Sequence, residues 1–154
     1  MRVMLAASFV ATVLAAGPGS AQEPAPTETK ETLESLPPAV RKAVEEQSRG
    51  ATLRGVAREV KDGVTLFEVE TTVNGRTRDL MLDLQGKVVS VEEQTTLGEI
   101  PEPARAAILR AVGTGKLVLV ERVTKGATTF FEGHIDRGRG LSEVKVDARG
   151  QPVE

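Results

Sequence analysis

The chain has 154 residues, 20 basic and 22 acidic side chains, a formal charge of -2, one His and no Cys, Trp or Tyr. Without thiols it is neither a disulfide scaffold, nor a cysteine-ligated metal protein, nor a thiol enzyme. Without a basic excess it lacks the counterion-releasing surface of a nucleic-acid binder, and a lone His builds no transition-metal cluster, so neither nucleic acid nor a cofactor is expected.

Met1-Arg2 is a short positive start, Val3 to Ala16 is almost wholly apolar, and Gly19-Ser20-Ala21 is a run of small residues. This is the order of a secretory signal, and the apolar run is shorter than the ~20 residues a spanning helix needs. Residues 1–21 are therefore expected to be removed on export, which places the protein in the periplasm or outside the cell, with membrane contact only through the transient signal. Residues 22–32 are polar with two prolines and read as a disordered tether.

From there the chain repeats itself at an offset of 64: Leu36-Pro37 with Ile100-Pro101, Phe67-Glu68 with Phe131-Glu132, and Asp83-x-x-Gly86 with Asp147-x-x-Gly150. The two units are residues 33–99 and 100–154. In each, a helix opens beside proline, where the missing donor costs little. Val40, Ala43 and Val44, then Ala104, Ala107 and Ile108, follow at helical spacing. Strands are predicted over Thr52–Val60, Leu66–Val73 and Arg78–Leu84, with a possible fourth over Val88–Glu93, and over Lys116–Thr124, Thr129–Asp136 and Leu141–Ala148. Asn74-Gly75 is a strong two-residue hairpin signal and pairs Phe67 with Leu82 and Val69 with Leu80. An equivalent turn at Gly138-Arg139 pairs Phe131 with Val146. The expected fold is α+β: two tandem α-β-β-β repeats in one antiparallel sheet, both helices on one face and the other face largely solvated.

Phe67-Glu68-Val69 with Asp83-x-x-Gly86, and Phe131-Glu132 with Asp147-x-x-Gly150, in the order helix–strand–strand–strand, resemble the PepSY domain. The tandem resembles the PepSY-like, β-lactamase-inhibitor-protein-like group of exported bacterial proteins. The chain departs from the family's frequent middle-strand Tyr, with Phe in both units. The resemblance implies a non-enzymatic module that binds, and inhibits or modulates, an envelope protein, peptide or protease through its open sheet face.

That face carries the candidate partner-binding residues Glu68, Glu70, Asp79 and Met81 from the first unit and Glu132, His134, Asp136 and Lys145 from the second. His134, Asp136 and Ser142 suggest a catalytic set only superficially, since Ser142 falls opposite Ile135 and points to the other face, and no nucleophile elbow surrounds it. His134 is expected to pair with Glu143 on a wet surface. Glu70 and Asp79 oppose each other. Either they hold a cation weakly, the alternative function being a small-ligand or cation sensor, or Arg58, Arg76 or Arg78 folds over them.

Overall fold

The computed structural model describes residues 27–61 and 63–153; the signal sequence expected at 1–21 lies outside them. Helix α1 (Pro38–Gln47) has Pro at its first position, and α2 (Glu102–Val112) follows Pro101. In each case the fixed proline φ is already helical and no backbone donor is wasted. Val40 and Val44, one turn apart, bury one stripe of α1, and Ala104, Ala107 and Ile108 bury one stripe of α2.

The strands are β1 (Thr27–Glu31), β2 (Thr52–Lys61), β3 (Val64–Val73), β4 (Arg76–Leu82), β5 (Val88–Thr95), β6 (Lys116–Lys125), β7 (Thr128–Asp136) and β8 (Leu141–Val146). They form one antiparallel sheet in chain order. The expected pair of α-β-β-β units is therefore overturned: five strands come before α2 and three after it. Two segments account for the difference. The supposed tether contains β1, an edge strand paired with β2 from Thr27↔Val60 to Glu31↔Val56 and pinned by Arg58 Nε to Glu31 at 2.9 Å. A polar edge strand is held by its backbone, which side-chain composition does not register. The other is β5, which pairs with β6 from Ser90↔Lys125 to Thr95↔Val120, so the ladder runs on without a seam.

Turn chemistry sets the hairpin register. Asn74 and Gly75 both take positive φ, 51° and 82°, as a type I′ turn requires, and Phe67 faces Leu82 as the sequence predicts. Phe131 likewise faces Val146. Phe67, Val69, Leu80 and Leu82 pack on Val40 and Val44 of α1. Val120, Phe131 and Val146 pack on Ala104, Ala107 and Ile108 of α2. The Leu80↔Val91 and Val91↔Thr124 pairs carry this face from one cluster toward the other, which places both helices on the same side. Gly133 follows from that packing, since a Cβ there would stand 2.8 Å from Ile108 Cγ2.

The other face is not the flat, wet surface expected. On a flat sheet β2 and β8, six strand spacings apart, would be separated by about 29 Å, yet Glu59 of β2 and Glu143 of β8 line the same depression. The sheet has curled into a trough. Strand twist accumulates across eight strands, and register shifts at Leu53/Gly55, Met81/Leu82 and Leu117/Leu119 bend it further.

Candidate functional site

Curling brings polar side chains that a flat sheet would expose into one another's shade. At the centre of the trough Glu121 is 3 %, Glu132 4 % and His134 5 % exposed. Glu121 and Glu132 sit directly opposite on β6 and β7, a pairing of like charges that needs a cation nearby. Two are present. His134 Nε2 lies 2.8 Å from a Glu121 oxygen, and Lys145 Nζ 2.9 Å from one of Glu132. Burial alone would lower the His134 pKa, but the bond to Glu121 and the charges of Glu121, Glu143 and Glu132 outweigh it and hold the imidazole above its usual value. Glu121, Glu132 and His134 also bring three metal-capable atoms within 4.8 Å of one another; the positive charge that cluster requires is supplied by His134 and Lys145.

His134 lies directly opposite Glu143, as the sequence predicts, but its hydrogen bond goes to Glu121 on the other neighbouring strand. Glu143 stands 3.7 Å from Nδ1, and both side chains are largely shielded instead of lying on an open surface. Asp136 does not join it: it is exposed and accepts the Gly138 amide at 2.7 Å, closing the β7–β8 turn. Ser142 pairs opposite Ile135, and its hydroxyl accepts Arg137 Nε at 2.8 Å. Replacing His134 with Leu leaves two opposed buried carboxylates with one cation fewer. It is expected to cost about 3–5 kcal/mol in urea unfolding, with Glu121→Leu in the same chain recovering part of the loss.

The first-unit residues divide in two. Asp79 is covered by an arginine, but by Arg54, not by Arg58, Arg76 or Arg78, which pair instead with Glu31, Glu99 and Glu93. Arg54 Nη2 reaches both Asp79 oxygens at 2.7 and 3.0 Å, and the Thr71 amide adds a third hydrogen bond at 3.0 Å. Glu70 lies alongside, with its carboxylate over Gly55, where a Cβ would stand 2.8 Å from Oε2. Glu68 and Met81 instead line the central depression together with Glu132, His134 and Lys145. Burial pushes the Glu68 carboxyl up to about 8, and the charges of Asp79, Glu70, Glu92 and Glu28 add to the rise. Burial likewise pushes Glu92 up to about 7, with Glu132 and Glu121 adding to the rise and Lys145 opposing it.

Beside this depression the trough opens into a groove of about 540 Å³. Its walls are largely apolar: Val64, Leu66, Val89, Val123 and Phe130, with Val153 from the C-terminal segment. Val64 at the rim is 57 % exposed. Sequence reasoning missed Glu92, Glu121, Arg54 and this apolar wall. One signal was available: the two-residue Gly126-Ala127 link pairs Lys125 with Thr128, and counting back from it sets Glu121 opposite Glu132.

No family model and no curated protein sequence matches the chain. Among solved structures, a protein of Bacteroides eggerthii assigned to the periplasm superposes with a TM-score of 0.61 at 15% identity, over 77% of this chain and 86% of its own. A DUF2874-family protein of Bacteroides uniformis gives 0.60 at 17%, over 77% and 87%. A BLIP-like protein of Bacteroides fragilis gives 0.54 at 16%, over 75% and 82%. At such identities the likeness is one of fold: an eight-stranded antiparallel sheet, curled away from two helices on its convex side, is a BLIP-like fold.

Proposed function

We propose that the protein is an exported, non-catalytic, PepSY-like binding module that docks another envelope protein or a peptide on its concave sheet face, modulating or inhibiting it. The observation that carries this reading is the groove. An apolar cleft of about 540 Å³ beside a floor of convergent charged groups has the make-up of a binding site. Export is supported by the signal-like first 21 residues and by the periplasmic assignment of a protein of similar fold. A non-catalytic role is supported by the dispersal of Ser142, His134 and Asp136 among the described residues. With no Tyr or Trp in the chain, Phe130, Met81 and the aliphatic wall take the place of the aromatic anchors that usually dominate interfaces.

The test compares two surface variants as bait in a periplasmic extract. Val64→Asp places a charge on the groove rim, and Leu109→Asp places one on α2, where Leu109 is 49 % exposed. A protein retained by the wild type and Leu109→Asp, but lost with Val64→Asp, is the expected result. Retention unaffected by Val64→Asp, or no retained protein together with a hydrolytic activity abolished by His134→Ala, overturns the reading.

A further inference from the structure

The groove beside the central depression has two unlike ends. Glu59, Glu92, Glu132 and Lys145 line both the groove and the depression, and so mark its inner end. There Lys145 answers the carboxylates: its Nζ lies 2.9 Å from Glu132 and 3.7 Å from Glu143, and its charge acts on Glu92. The other charged residue of the groove is Lys125, exposed at the end of β6, where it faces Thr128 across the β6–β7 link. Val64 of the groove rim opens β3 at the same end of the sheet, since the β2–β3 and β6–β7 links of a sheet in chain order lie on one side. Among the described residues Lys125 makes no hydrogen bond or ion pair. Between the two ends the floor is buried Val123 and Phe130, and the walls are half-buried Leu66, Val89 and Val153. That floor has nothing to offer a peptide main chain. Val123 has a strand on either side, facing Glu92 of β5 and Phe130 of β7. The backbone polar groups of a strand paired on both sides are spent in the ladder, so a peptide laid here would bury amides without partners. A hydrocarbon chain leaves nothing unpaired. A docked partner therefore reaches this stretch with side chains, and the slot itself fits another class of ligand.

We propose that the groove binds a single-chain fatty carboxylate, its head at Lys125 and its tail running inward over Val123 and Phe130, between Leu66 on the β3 side and Val153 on the β8 side. This goes beyond the docking function, since it assigns a small-molecule ligand to the same groove. The orientation follows from charge. The inner end sets Glu59, Glu92 and Glu132 against a lysine that is already engaged, and would repel a carboxylate; at Lys125 the same group gains an ion pair with no competing partner. The length follows from the strand. From Lys125 to Glu121, where the floor turns charged, is four residues along one face of β6, about 13 Å. An extended chain of roughly ten carbons, with bonds of about 1.5 Å, spans that distance. The affinity must come mainly from burial of the tail, because an exposed ion pair such as the one at Lys125 contributes little.

The test is calorimetric titration of the full chain with hexanoate, decanoate and dodecanoate, each below its micelle concentration, and with decan-1-ol as the uncharged counterpart. Decanoate is expected to bind at least tenfold more tightly than hexanoate, and dodecanoate to gain less per added carbon than decanoate does. Lys125→Gln should weaken decanoate about threefold, the scale of an exposed ion pair, and leave decan-1-ol unchanged. Val64→Asp should weaken both, and Leu109→Asp, on the far face, neither. Failure of decanoate to bind, equal binding of hexanoate and decanoate, or a decanoate affinity untouched by Lys125→Gln overturns the inference. Tighter binding of a capped Ala-Leu-Glu-Phe-Ala peptide than of decanoate would make the occupant a peptide segment and overturn it as well. None of these results decides the docking function, which stands or falls on the capture comparison; loss of docking with decanoate still bound as described would leave the ligand site in place.

Discussion

Gly86→Ala is expected to destabilise the protein by about 2–5 kcal/mol, and Gly150→Ala by a similar amount. Both glycines hold φ at 76°, and both press against a helix. A Cβ at Gly86 would stand 2.5 Å from the Ala39 carbonyl oxygen and 3.1 Å from Ala43 Cβ. At Gly150 it would stand 2.9 Å from the Pro103 carbonyl carbon and 3.4 Å from Ala107 Cβ. Two costs combine. The left-handed region costs a residue with a Cβ about 1–2 kcal/mol, and crowding a backbone that cannot rotate away costs about 1–3 kcal/mol. The aspartate of each Asp-x-x-Gly turn fixes the geometry and removes the easy escape: Asp83 Oδ1 accepts the Gln85 and Lys87 amides, both at 2.9 Å, and Asp147 Oδ1 those of Arg149 and Gln151 at 2.8 and 2.9 Å. Gly75→Ala separates the two costs. Gly75 has φ 82° but nothing within 4 Å of the added carbon, so it should lose about 1–2 kcal/mol only. Urea unfolding of the three variants checks this, and equal losses at Gly75 and Gly86 would remove the helix contact from the explanation.

The second large effect is a stability that falls as pH rises. Most carboxylate-rich proteins lose stability on acidification, because their carboxylates are better stabilised folded than unfolded. Here the buried groups go the other way. Glu68 rises from 4.5 to about 8 and Glu92 from 4.5 to about 7, both chiefly through burial. Burial also raises Asp79 and Glu143, and His134 lies above its ordinary value. A group with a raised folded pKa stabilises fully below its unfolded value, and that contribution is lost as pH climbs through the folded one. For Glu68 and Glu92 the window runs from about 4.5 to 8, and His134 adds to the loss above 6.5. The exposed carboxylates act oppositely. Hydrogen bonds from Arg76 and Thr96 hold Glu99 down near 2, so its contribution is lost only as pH falls below 4.5. Thermal unfolding should be most favourable to the fold near pH 5. Stability should fall by on the order of 2–4 kcal/mol by pH 8, allowing for residual solvent screening at Glu68. Glu68→Gln removes the largest single source of this loss: it should be more stable than the wild type at pH 8 and close to it at pH 5. A flat profile, or one that rises toward pH 8, contradicts the burial of the concave face. That a residue costs stability at neutral pH fits a position kept for binding.

How much of this the chain disclosed depended on where its signals are local. Proline at the helix starts, Asn74-Gly75 in the turn and the Asp-x-x-Gly closures act within a few residues, so the helices, the β3–β4 and β7–β8 registers and Ser142's exclusion from the site could all be read directly. Curvature is a property of the whole sheet, set by accumulated twist and by bulges that no short motif encodes. The sequence therefore leaves the concave face looking wet, and it shows Glu143 opposite His134 but not Glu121, which curling and the β6–β7 register bring to the imidazole from the other side. The β1 edge strand was missed for the opposite reason: TETKE has no apolar alternation, and its only requirement is that its backbone reach β2. Arg54 escaped notice because a bulge between Leu53 and Gly55 aims it at Asp79, and bulge positions are not visible in alternation.

Carbon-detected NMR titration of the Glu68 side-chain carboxyl tests the curled, desolvated trough most directly. A Glu68 midpoint near 8 is the expected result. A midpoint near 4.5 would mean that Glu68 faces water on an open sheet, and the trough would not survive that result.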